Sequence, residues 1–185
     1  MVQIAVLGYG TVGSGVVEVI NTNQEIVNKN AGDEINIKYV LDLRDFPGDP
    51  VQEKIVHDYE VIINDPEIKV VVEVMGGTNP AYTFVKRALE SGKSVCTSNK
   101  ELVAKHGTEL LEIAREKNIN FLFEASCGGG IPIIRPLNTS LTADDIDEIS
   151  GILNGTTNYI LSKMADDGAD FDVVLKDAQE KRYAE

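Results

Sequence analysis

The stretch Gln3-Ile4-Ala5-Val6-Leu7-Gly8-Tyr9-Gly10-Thr11-Val12-Gly13 decides the fold. A short apolar run that stops at glycine reads as a buried parallel strand. After the glycines, Val12, Val16, Val17, Val19 and Ile20 fall on one helical face, and the helix should end at Asn21-Thr22-Asn23. Gly8, Gly10 and Gly13 therefore form G-x-G-x-x-G between a strand and a helix. The first glycine permits a tight turn, the second lets the backbone approach a pyrophosphate, and the third lets helix and strand pack closely. The bare pattern is weak, but at the first strand of an alternating chain it predicts dinucleotide binding.

Further along the chain the same alternation recurs. Ile35–Leu41 reads as a second strand, with a Pro/Gly/Asp-rich loop at Asp45–Pro50, and Lys69–Met75 as a third, ended by Gly76-Gly77. Pro80 opens a helix carrying Ala81, Phe84, Val85, Ala88 and Leu89 at helical spacing, closed by Gly92. Ser94–Thr97 is a fourth strand, Leu102–Lys117 a helix and Asn120–Glu124 a fifth strand. The fold class is therefore α/β: a doubly wound parallel sheet with its site at the carboxyl ends of the strands. The rhythm changes at Gly128-Gly129-Gly130, Pro132 and Pro136, which places one domain over residues 1–134 and the start of another over 135–185. In the second, Ile146–Leu153 reads as a strand, followed by a helix after Gly155 and an acidic amphipathic helix near Asp172–Glu180.

Composition sets limits on function. At 185 residues the chain is about one domain and a remainder, taking roughly 150 residues per domain. Its 17 Lys+Arg against 30 Asp+Glu leave a net charge of −13, with no basic run to bind nucleic acid or an anionic membrane. A nucleotide is not excluded, since a few backbone N–H groups can hold phosphate against the overall sign. No apolar stretch reaches the roughly 18 residues of a membrane span, the amino terminus carries no export signal, and Cys96 and Cys127 lie far apart. These features predict a cytoplasmic protein.

Four further places carry chemistry. Asp42, at the end of the second strand, can bind ribose hydroxyls and favour NAD, whereas Arg44 can take a 2′-phosphate and favour NADP; the two leave the choice open, and both can belong to a solvated loop. Ser98-Asn99-Lys100 follows the fourth strand, where a lysine can polarise a carbonyl, although a lone lysine after a strand is commonly just solvated. In Glu124-Ala125-Ser126-Cys127-Gly128-Gly129-Gly130-Ile131-Pro132, Cys127 reads three ways: a thiol nucleophile, part of a carbonyl-rich cage for a hard cation with Glu124, or a small buried residue. A nucleophile needs a base, and His57 and His106, the two histidines, lie in other segments. Finally, Gly151–Asn158 can present hydroxyls and helix N–H groups to a carboxylate, or simply cap a helix.

Taken in order, GYGTVG, VVEVMGGTNPA, TSNKELVA, FEASCGGGIPII and GILNGTTNYIL closely resemble homoserine dehydrogenase across almost the whole chain. The resemblance implies a Rossmann nucleotide domain, then a mixed α/β domain that dimerises and holds substrate, and the NAD(P)-dependent interconversion of homoserine and aspartate 4-semialdehyde in the route to threonine, methionine and isoleucine. It assigns Gly8, Gly10, Thr11, Val12, Gly13, Asp42, Arg44, Gly76, Thr78, Ser98 and Lys100 to the cofactor. Lys100 is also the catalytic candidate. Substrate falls to Asn154, Gly155, Thr156, Tyr183 and Glu185, and a monovalent cation, usually sodium, to Glu124 with the carbonyls of Cys127, Gly129 and Ile131. Cys127 is then no nucleophile.

Two departures qualify the resemblance. The family motif that usually reads Leu-Gly-Tyr-Ala-Glu is here Lys181-Arg182-Tyr183-Ala184-Glu185, with arginine in place of glycine. The family's later aspartate and second lysine are not in this sequence, which predicts an amino-terminal portion with an incomplete catalytic site. The competing readings are an NAD(P)-binding sensor or scaffold without chemistry, and a thioester-forming semialdehyde dehydrogenase built on Cys127.

Overall fold

A computed structural model describes residues 1–181 and 183–184, and the chain falls into two compact units, Met1–Pro132 and Ile133–Glu185. In the first, six strands, β1 (Val2–Leu7), β2 (Ile35–Leu41), β3 (Ile55–Val56), β4 (Ile68–Glu73), β5 (Ser94–Thr97) and β6 (Phe121–Leu122), form one sheet in the order β3-β2-β1-β4-β5-β6. Every pairing is parallel. This is the doubly wound order, whose reversal point lies between β1 and β4.

The apolar runs explain the layering. In β1, Ile4 and Val6 pack on one face with Val17 of helix α1 (Thr11–Thr22), while Ala5 and Leu7 pack on the other. That second face is covered by α4 (Ala81–Glu90) and α5 (Lys100–Lys117), through Val85, Leu89, Leu102 and Leu110. A strand buried on both faces must be apolar at successive positions, hence the unbroken run.

Several elements of this unit are absent from the sequence reading. Helix α2 (Gln24–Ala31) follows directly on Asn23, β3 adds two residues beside β2, and α3 (Tyr59–Ile63) buries Tyr59 and Ile62. The strand expected over Asn120–Glu124 is reduced to β6. Glu124 instead precedes the short helix α6 (Ala125–Gly128).

The second unit holds α7 (Ile134–Ser140), α8 (Gly155–Asp167) and α9 (Phe171–Glu180). The last two form a hairpin: Gly168 takes the left-handed conformation that ends α8, and Ile160, Val174 and Ala178 are the buried contacts. The strand expected over Ile146–Leu153 does not form. Ile149, Ile152 and Leu153 are 60%, 80% and 66% exposed, and no described residue lies alongside as a partner, without which extended backbone is not a strand. No helix among the described residues is long and apolar enough to cross a membrane.

At the β1–α1 junction, a Cβ on Gly13 would stand 2.0 Å from the carbonyl oxygen of Gly8, while one on Gly15 would meet nothing within 4 Å. Gly13→Ala should therefore lower stability by about 3 kcal/mol, because backbone must move to admit the methyl. Gly15→Ala, in an open mid-helix position, should raise it by about 0.5–1 kcal/mol. Urea unfolding followed by far-UV circular dichroism reads both.

Candidate functional site

The glycine turn does what its three positions require, each in a different way. Gly8 has φ +99°, and a Cβ there would press on Met75 and the carbonyl of Val74. Gly13 is excluded from any side chain by Gly8 itself. At Gly10 the packing of the chain imposes no glycine, since a Cβ would meet nothing within 4 Å. Gly10 caps α1, whose first residues are Thr11 and Val12, and its carbonyl accepts from Ser14 N–H at 2.9 Å. The free N–H groups of that first turn, at the reversal point of the sheet, form an anion-binding terminus.

Beside this turn, Asp42 and Arg44 form one unit and not two alternatives. Asp42 Oδ2 accepts from Tyr9 N–H (2.8 Å) and Arg44 Nη2 (3.0 Å), while Oδ1 accepts from Arg44 N–H (3.0 Å) and Nε (2.9 Å). The guanidinium also reaches the Tyr9 carbonyl at 3.1 Å. Arg44, aided by the two backbone N–H groups, holds the Asp42 carboxyl far below the usual carboxylate range. The Arg44 side chain is nonetheless 62% exposed, against 9% for Asp42.

These residues edge a cavity of about 410 Å³. Its walls come from Gly8, Leu41 and Leu43, from Tyr59, Met75, Pro80 and Phe84, and from His57. His57 Nδ1 lies 2.7 Å from the Asp42 carbonyl and Nε2 lies 3.2 Å from Asp45, and the bond to Asp42 raises its pKa. The size and the apolar walls suit a flat heteroaromatic ring. Sequence reasoning missed His57, Tyr59, Met75 and Phe84, which converge only through the fold.

On the other side of the reversal point lie two loops. Gly76 and Thr78 follow β4, with the Thr78 hydroxyl accepting from Lys105 at 3.3 Å. Ser98 follows β5 and donates its N–H to the Glu73 carbonyl at 3.3 Å. Lys100 is the first residue of α5, exposed, directly after the cap Asn99. The Asn99 amide donates to the Gly77 carbonyl at 2.6 Å and ties the two loops together.

Glu124, Cys127, Gly129 and Ile131 lie along α6 and the turn that follows it, where Cys127 N–H donates to the Glu124 carbonyl at 3.1 Å and Ile131 N–H to the Gly128 carbonyl at 3.0 Å. One carboxylate with backbone carbonyls suits a hard monovalent cation. No group of three or more His, Cys, Asp or Glu side chains gathers among the described residues to suit a transition metal. Neither histidine is committed to Cys127: His57 is engaged by Asp42 and Asp45, and the His106 ring stacks on Tyr82 at 3.9 Å.

In the second unit, a cavity of about 580 Å³ is lined by Gly155, Thr156, Asn158, Tyr159, Ser162 and Tyr183. The Thr156 hydroxyl donates to the Tyr183 carbonyl, so two distant segments meet here. Asn154 acts as a cap, accepting from Thr157 N–H at 2.9 Å. Glu185 and Arg182 lie outside the described residues.

Comparison with known proteins gives the same two units separate matches. A family model described as "Homoserine dehydrogenase, NAD binding domain" matches residues 8–124, and one described as "Homoserine dehydrogenase" matches residues 132–185. The homoserine dehydrogenase of Synechocystis sp. is 43% identical over 187 residues, covering 100% of this chain and 43% of that protein. That of Bacillus subtilis is 41% identical over 188 residues, again covering 100% and 43%. The solved homoserine dehydrogenase of Thiobacillus denitrificans superposes with a TM-score of 0.91 at 42% identity, over 100% of this chain and 43% of its own. A hyperthermophilic archaeal homoserine dehydrogenase mutant in complex with NADPH gives a TM-score of 0.81 at 28% identity, over 98% and 61%. The chain thus spans less than half the length of the curated relatives it matches. With both family models in order along it, a doubly wound sheet and a glycine turn of the required geometry, the chain belongs to the homoserine dehydrogenase family.

Proposed function

We propose that this chain supplies the nucleotide domain and the beginning of the substrate domain of an NADP-preferring enzyme that interconverts L-homoserine and L-aspartate 4-semialdehyde. The saturation of Asp42 carries the cofactor preference. Its four acceptor positions are filled by Tyr9 N–H and by three donors of Arg44. The ribose diol of NAD would have to displace Arg44 to gain an acceptor, whereas a 2′-phosphate needs only the exposed face of a guanidinium already held in place. The adenine ring would enter the cavity of about 410 Å³. The pyrophosphate would lie on Gly8, Gly10, Thr11, Val12 and Gly13, leaving the nicotinamide end toward Gly76, Thr78, Ser98 and Lys100 on the far side of β1.

When bound, the nicotinamide accepts or returns the hydride. What the chain contributes is placement and charge. Lys100, on the first turn of α5, binds and orients the oxygen that loses its proton as hydride leaves the same carbon. Asn154, Gly155, Thr156, Tyr183 and Glu185 hold the substrate, with Glu185 on its amino group. A sodium ion on Glu124 and the carbonyls of Cys127, Gly129 and Ile131 would fix that turn without entering the hydride step. The complete enzyme is proposed to be a homodimer in the cytoplasm, with residues 135–185 opening its substrate domain.

Fluorescence titration of the chain with NADPH and NADH, with and without homoserine, tests the reading. NADPH should bind about tenfold or more tightly than NADH, and Arg44→Ala should remove that difference by weakening NADPH alone. Equal or tighter binding of NADH by the unaltered chain overturns the preference. In a protein of the relatives' full length, Lys100→Ala should lower kcat by about 10²-fold or more while cofactor affinity changes less than about threefold. Undiminished turnover removes Lys100 from the chemistry.

A further inference from the structure

Glu73 is a fully buried acid at the end of β4, inside an otherwise apolar run of valines, and nothing above gives it a role. Its neighbours are neutral donors. Thr97 donates its hydroxyl to Oε2 at 2.5 Å, while Met75 N–H (2.8 Å) and the Asn99 amide (3.5 Å) point at Oε1. Thr97 in turn accepts from Asn99 N–H at 2.9 Å. The Asn99 side chain accepts from Leu102 N–H at 3.0 Å, capping α5, and donates to the carbonyl of Gly77 at 2.6 Å. Burial is the larger effect and holds the Glu73 carboxyl above its ordinary range, while the bonds from Thr97, Met75 and Asn99 limit the rise.

This pattern favours a carboxylate over its near relatives. Thr97 Oγ receives the Asn99 N–H while donating its own hydrogen to Glu73. Both Glu73 oxygens thus face donors. A glutamine or a protonated acid would face Thr97 with a hydrogen of its own, so the Thr97 hydroxyl would have to turn its hydrogen away and its bond to Glu73 reverse. The reversed bond loses the charge assistance of a carboxylate acceptor and leaves the Thr97 hydrogen to find another acceptor, which loosens what Glu73 holds. What it holds is specific: Met75 and Gly77 belong to the loop bearing Gly76 and Thr78, and Thr97 and Asn99 flank the segment bearing Ser98 and Lys100.

We infer that Glu73 is a positioning residue that locks the β4 and β5 loops together, so that the nicotinamide end of the groove and the first turn of α5 keep one geometry. The inference rests on the dinucleotide reading above and adds a buried residue to it. Glu73, fully buried, acts through these loops and not by touching cofactor or substrate. The adenosine end is held separately, by the glycine turn and the Asp42–Arg44 pair.

The test uses the chain as it stands, with Glu73→Gln and two variants of its partner, Thr97→Val and Thr97→Ser. Two ligands are compared by titration: NADPH, and adenosine 2′,5′-bisphosphate, which lacks the nicotinamide half. Glu73→Gln and Thr97→Val should weaken NADPH about tenfold and the bisphosphate less than about twofold, while Thr97→Ser, which keeps the hydroxyl, should remain near the unaltered chain. Without ligand, amide exchange at Met75 and Asn99 should quicken about tenfold in Glu73→Gln. Equal weakening of both ligands, or of neither, overturns the positioning role while the dinucleotide reading stands. Failure of the unaltered chain to bind NADPH or NADH overturns both.

Discussion

The contact between Gly13 and the carbonyl of Gly8 is the constraint on which the remaining geometry depends. With only 2.0 Å between that oxygen and any Cβ at position 13, helix α1 can begin where it does only if no side chain is present. Strand β1 is central, pairing with β2 through Leu7 and Leu41 and with β4 through Leu7 and Glu73. A shift at the turn would therefore move Asp42 and Glu73 together, one on each side of the reversal point. The two ends of the groove share an origin. A single methyl group at Gly13 would disturb both, although it would touch neither.

Most of the first unit was legible because its strands are buried on both faces and its helices are long enough to show a period. Gln3–Leu7, Ile35–Leu41 and Ser94–Thr97, with the helices after the first and last of them, needed little beyond apolar runs and the turn residues between them. The misses are short elements within charged sequence. Strand β3 is two residues whose identity depends on Val40 and Leu41 beside them, and α3 is five residues held by Tyr59 and Ile62 among Asp and Glu. Ile146–Leu153 failed for the opposite reason. Its composition suits a strand, but composition cannot supply the neighbour that turns extended chain into sheet.

At the site, residue types were legible and their states were not. Asp42 and Arg44 could be placed at the strand end from spacing alone, yet reading them as competitors for two cofactors missed that they bond to each other. Whether an acid is available to a ligand depends on how many of its acceptor positions the protein already fills, and that is a property of coordinates. Cys127 shows the same limit. Its type left three readings open, and the segments of His57 and His106 already spoke against a nucleophile; the coordinates add where those rings sit, one bonded to Asp42 and Asp45 and one stacked on Tyr82. Glu73 left a visible signal, one acid in a run of valines, but its meaning required the directions of its three donors.

The opposite treatment of the two acids follows from their surroundings. Asp42 lies at the mouth of a cavity and holds a guanidinium that stays exposed, so a charged partner orients that cation without sealing it. Glu73 lies beneath two backbone loops, and a lysine or arginine there would need space and further acceptors of its own. Neutral donors from Thr97, Met75 and Asn99 satisfy the carboxylate in the volume available while linking backbone to backbone. The net charge of −13 bears little on either site. Charges beyond roughly 10 Å are screened at ordinary salt, so a phosphate at the α1 terminus responds to the N–H groups and guanidinium within a few ångströms. That is how an acidic chain can be built to hold an anionic cofactor.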